Sequence, residues 1–114
     1  MSPEKIFPPK ILKVMPRIGK TWEKSADQIK VPLKVFNACG AQTWYLIEYD
    51  PEERIFYGFC NLGDPTCAEC GTVSQDEMLE TDQSLSPLVF MLERDFGWNA
   101  ETTLQQVIDK VWKN

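Results

Sequence analysis

The chain has 114 residues, a net charge of −5 and no histidine. That length predicts one domain with a real core, and the ordinary apolar and charged fractions argue against long disorder. The missing histidine excludes the commonest general base, Ser-His and Cys-His nucleophiles, and every His-metal site.

Residues 8–15, PPKILKVM, read as a short helix with proline at its start and Pro16 at its end. Ile11, Leu12 and Met15 form its inner face. Residues 16–29 are mixed and polar, a loop in which Trp22 is either an anchor on the core or an exposed contact. Residues 31–37, VPLKVFN, alternate as a strand. Pro32 lacks a ladder N–H, so its start belongs at an edge. A turn at 38–41 leads to a strand at 42–49, QTWYLIEY. On strict alternation Trp44, Leu46 and Glu48 share one face, and Thr43, Tyr45, Ile47 and Tyr49 the other. Asp50-Pro51-Glu52-Glu53 is a turn, and 54–61, RIFYGFCN, is the next strand. Gly58 within it suggests a bulge or a close backbone approach. A fourth short strand is placed at 71–73.

Ser74-Gln75-Asp76-Glu77 fits a capping box opening a helix over 75–80. Ser86-Pro87 is a second start signal, leading a helix through LVFMLERDF to Gly97. Asn99 is placed as the cap of the last helix. There Leu104, Val107, Ile108, Val111 and Trp112 make one apolar stripe, with Lys110 and Lys113 in the final turn. The predicted class is α+β: a small antiparallel meander of three or four strands, with a short N-terminal helix and two or three C-terminal helices packed on it.

Charge divides along the chain. Residues 1–34 carry eight basic and three acidic side chains, and residues 35–114 carry four basic and fourteen acidic ones. This is either two differently solvated surfaces or an acidic face that docks on a basic partner. Direct nucleic-acid binding is not expected, because phosphates need cations and only the first third supplies them. No apolar run approaches the roughly 18–20 residues that span a bilayer, so no membrane partner is expected. MSPEKIFPPK has no apolar signal core, and the predicted location is the cytoplasm.

The chemistry-bearing groups are few. Cys67-Ala68-Glu69-Cys70 has zinc-knuckle spacing, and Cys60 and Cys39 could complete a four-thiolate site if the sheet brings them together. A redox pair would need a helix start after the motif, where Gly71 and a strand are placed instead. The default is free thiols in a reducing compartment, and no cofactor is expected. Gly19-Lys20-Thr21 resembles the tail of a phosphate-binding loop, but Val14 stands where the upstream glycine belongs. Glu48, Asp50, Glu52 and Glu53 cluster at the hairpin tip, as a solvated turn or a carboxylate site. Trp44 and Tyr57 lie among aromatics on both hairpin faces. One face is either covered by the N-terminal segment or offered to a partner.

The order LKVF (33–36), TWYLIEYDPE (43–52), FYGFC (56–60), then Gly71 and SQDEML (74–79), resembles a small bacterial family known as domain of unknown function 2958. The likeness runs over residues 9–80 and rests on Thr43-Trp44-Tyr45, Glu48 and Gly58. The cysteine loop departs from the family's pattern. The family has no established activity; its frequency on plasmids and phages implies an accessory role in host–element conflict. The resulting expectation is a non-enzymatic, acidic, phage- or plasmid-type protein in a bacterial host. It would bind, and inhibit or modulate, a basic site on a host nucleic-acid-handling or defence complex, in the manner of an anti-CRISPR inhibitor. Trp44, Glu48, Glu52, Glu53 and Tyr57 are the candidate contacts. The alternative is a structural zinc module held by Cys39, Cys60, Cys67 and Cys70.

Overall fold

The computed structural model describes residues 3–82 and 91–112. Its centre is a five-stranded antiparallel sheet in the order β4-β3-β2-β1-β5. The strands are β1 (Leu33–Asn37), β2 (Thr43–Asp50), β3 (Ile55–Asn61), β4 (Glu69–Ser74) and β5 (Leu92–Arg94). Two short helices, α1 (Pro3–Ile6) and α2 (Pro9–Val14), precede the sheet. Helix α3 (Gln75–Asp82) follows β4, and α4 (Leu104–Trp112) is the last element among the described residues. The α+β meander is as predicted, with one strand more.

That strand is β5. The sequence places a helix across it, but Leu92 to Arg94 pair instead with Asn37 to Val35 of β1. Buried Asn37 ties this corner: its Oδ1 accepts from the Met91 and Cys39 N–H groups, and its Nδ2 donates to Gln42. Ser86-Pro87 lies outside the described residues. Because β5 flanks β1, β1 is interior rather than an edge. Pro32 stands just before the strand, where it removes no ladder bond.

Two cores cover the two faces of the sheet. One packs Ile6, Phe7 and Met15 from the N-terminal segment, and Met78 and Leu79 of α3, on Leu33, Val35, Trp44, Leu46, Tyr49 and Phe56. The other packs Ile29, Val31, Leu104 and Val107 on Tyr45, Ile47 and Phe59. Helix α4 lies here by its predicted stripe, and its start is a capping box at Thr103 rather than a cap at Asn99. Thr103 Oγ1 accepts from the Gln106 N–H, and Gln106 Oε1 accepts from the Thr103 N–H. Asn99 caps the preceding turn instead, accepting from the Glu101 N–H. The Ser74 cap of α3 is as expected, accepting from the Glu77 N–H.

Strict alternation fails in β2. Leu46 pairs with Gly58 and Glu48 with Tyr57, so Ile47 is an extra residue in a β-bulge. Beyond it the two faces exchange. Tyr49 joins Trp44 and Leu46 in the first core, and Glu48 turns with Ile47 toward the second face. Gly58 is the facing residue, and its close approach is the reason only glycine fits. An added Cβ would collide with the Tyr45 carbonyl oxygen and lie 2.9 Å from Leu46 Cα.

Candidate functional site

The bulge buries a carboxylate. Glu48 is wholly inaccessible, and its two oxygens accept four hydrogen bonds from one loop. Oε1 accepts from the Gly19 N–H at 2.9 Å and the Trp22 indole N–H at 3.0 Å. Oε2 accepts from the Thr21 N–H at 2.7 Å and the Thr21 hydroxyl at 2.6 Å. A carboxylate has about four lone-pair sites, so both oxygens are fully used. Gly19 takes φ 94°, a left-handed conformation natural to glycine, as the loop turns around the acid. The Gly19-Lys20-Thr21 run therefore has a structural use: it binds the protein's own carboxylate.

The same contact fixes an exposed aromatic. Trp22 is 60% exposed, yet its N–H is held by Glu48 and its ring lies 5.6 Å from that of Tyr57. Trp22 is thus an exposed side chain rather than an anchor on either core, tied to the fold through its indole N–H. Tyr57 is half-buried and borders Cys70 of β4. Its phenol is pushed up to about 12, by burial first and then by Cys70 and Glu48.

The five candidate contacts therefore separate. Glu52 and Glu53 are exposed in the β2–β3 turn, where their N–H groups bond to Asp50 Oδ1. Tyr57 is accessible beside Trp22. Trp44 is buried in the first core and Glu48 has no free oxygen, so neither can touch a partner from its place in this fold. The expected acidic cluster at the tip is thus split by the bulge, which draws Glu48 inward. Trp22 belongs to the exposed aromatic pair in place of Trp44. The signal for it is an indole donor in a polar loop upstream of a strand acid, which only the fold makes legible.

The cysteines are placed as follows. Cys39 is exposed in the β1–β2 turn, and Cys67 is exposed at the end of a 3-10 turn over Pro65–Cys67. Asp64 caps that turn, accepting from the Thr66 N–H and hydroxyl, and these bonds hold its carboxyl below the usual value. Cys70 faces Phe59, and Cys60 faces Glu69 on the other side of the sheet. All four are free thiols. Burial, reinforced by Cys70 and Glu69, pushes the Cys60 thiol up to about 11. Burial also raises Cys70, against a hydrogen bond from Tyr57 that lowers it. Cys60, Cys67 and Cys70 line one cavity of about 300 Å³ with Asp64 and Glu69. Among the described residues, however, no three Cys, Asp or Glu side chains converge as a metal-holding group. The residues as placed do not fit a four-thiolate zinc centre, because Cys39 lines no part of this cavity.

No helix among the described residues is long and apolar enough to cross a membrane. No curated protein and no solved structure matches the chain. A family model described as Protein of unknown function (DUF2958) matches residues 8–113. The match extends through α4, beyond residues 9–80 where the motifs carry the resemblance. The chain belongs to that family.

Proposed function

We propose that the protein is a non-catalytic binding module that docks on a basic site of a protein partner. The observation that carries this reading is Trp22: an indole left 60% exposed while a buried carboxylate holds its N–H and Tyr57 supports its ring. A large aromatic kept rigid at the surface loses little entropy on binding, and such residues dominate interface energetics. Exposed Glu52 and Glu53, at the tip of the hairpin that carries Tyr57, and exposed Glu69, beside Cys70, supply carboxylates for a basic partner. The partner class follows from the excess of acid after residue 34. A bacterial cytoplasmic setting, and a role against a host nucleic-acid-handling or defence complex, rest on the family's association with mobile elements alone.

The test is a salt-dependent capture of binding partners from nuclease-treated bacterial lysate, run in parallel with variants. A stoichiometric partner bound by the wild type should be lost with Trp22→Ala. The Glu52→Lys/Glu53→Lys double variant should weaken capture and flatten its salt dependence. Capture that neither variant alters would remove this reading. Close to one zinc per chain, with unfolding by chelator, would replace it with the metal module.

A further inference from the structure

A cavity of about 550 Å³ opens between α2 and the β2–β3 turn, lined by Tyr49 of the first core rather than by Glu48. That volume suits a small molecule. Four of its lining residues are Lys10, Lys13, Arg17 and Arg54, and none is acidic. This collection of charge runs against a chain of net −5. Phe7, Leu12 and Tyr49 supply apolar floor.

The cations are positioned by the fold. Lys10 and Lys13 stand three apart on α2 and share a side of it. The segment bearing Arg17 is tied to β2 where the Tyr49 N–H donates to the Pro16 carbonyl at 2.9 Å. Arg54 has φ 56°, the one non-glycine residue with positive φ among the described residues. Side chains adopt that region at a cost, and such outliers cluster at ligand sites. Its Nε donates to Asp76 at 2.8 Å, which fixes the guanidinium plane. A fork pair with a phosphate uses the Nη edge. Of the nearby acids, Asp76 pairs with Arg54 and offsets part of its charge, and Asp50 accepts from the Glu52 and Glu53 N–H groups. The floor is rigid, because Tyr49 stacks on Phe56 at 4.6 Å, Phe56 on Phe7 at 5.2 Å, and the Tyr49 hydroxyl donates to Gln75.

We propose that this cavity binds a small phosphomonoester, its apolar or aromatic body on the Phe7–Leu12–Tyr49 floor and its phosphate among Lys10, Lys13, Arg17 and Arg54. Lys10, Lys13 and Arg17, with Arg54 sharing its charge with Asp76, suit a doubly charged group with several oxygens. The site is separate from the Trp22 surface, so either can fail without the other.

The test is calorimetric titration of the full chain with phenyl phosphate, adenosine 5′-monophosphate and inorganic phosphate. Arg54→Gly is the informative variant, because glycine takes the observed φ freely and the turn is kept. At least one organic phosphate should bind with a dissociation constant of about 1 mM or below. Arg54→Gly and Arg17→Ala should each weaken it about tenfold. Lys30→Ala, whose ammonium pairs with Glu101 at 2.8 Å beside the start of α4, should leave it unchanged. Preference for adenosine 5′-monophosphate would point to a nucleotide, and preference for phenyl phosphate to a smaller aromatic ester; both support the site. No binding of either ester at about 10 mM, or equal binding by Arg54→Gly, would overturn the assignment. Inorganic phosphate binding as tightly as both esters would remove the apolar subsite.

Discussion

Glu48 and Glu52 belong to one short acidic run, and their surroundings are opposite. Glu48 has no exposed surface and accepts four hydrogen bonds from residues 19–22. Glu52 is exposed in a turn, where its backbone N–H donates to Asp50 Oδ1. Residue type and proximity to the hairpin tip do not separate them. The extra residue in β2 does, by turning Glu48 away from the side chains it would otherwise accompany. One acid organises a loop and presents Trp22 to solvent; the other faces solvent. Burial makes the first a structural determinant, and exposure limits the second to long-range effects.

That contrast can be broken at its source. Gly58→Ala would force the Tyr45–Leu46 backbone aside and undo the bulge. The expected cost is about 3 kcal/mol in chemical denaturation, at the upper end for overpacking. Next, Glu48→Gln replaces an acceptor oxygen with a donor facing donors, for about 2 kcal/mol. Trp22→Phe keeps a ring on Tyr57 and loses only the indole bond to Glu48. It should cost about 1 kcal/mol, read by the same denaturation.

A pH titration sharpens the picture on the neighbouring strand. The Cys60 thiol ionises near 9.0 when unfolded and about 11 in the fold. Between those values the folded state holds the proton that the unfolded state has lost, so stability falls as pH rises through that window. Cys60→Ala should flatten the fall, checked by denaturation at several pH values. Smallest of all, Glu52→Gln and Glu53→Gln should each change stability by less than about 0.5 kcal/mol, and a larger loss would show that the turn acids are not simply solvated.

Much of this arrangement is legible in the sequence, where local pattern and local partner coincide. The hairpin strands, the Ser74 cap and the stripe of α4 follow from alternation, turn chemistry and helical spacing. Gly58 gives away a close approach, although the bulge it permits lies in the facing strand. What fails does so through distant partners. β5 has three residues and pairs with β1 across a long stretch of chain, so its own sequence reads as helix. Glu48 reads as a surface acid because its four donors come from a loop more than twenty residues upstream. The four basic residues of the cavity arise from three separate segments, and only folding gathers them.

The most direct test of the central claim, that buried Glu48 orders residues 19–22 and fixes Trp22, is hydrogen exchange at the Thr21 amide and the Trp22 indole N–H. It is compared between wild type and Glu48→Gln under native conditions. Both protons should be protected in the wild type and lose about tenfold or more of that protection in the variant, while β3 amides away from position 48 change much less. Exchange at the rate of a free loop in the wild type, or equal protection in the variant, would contradict the account.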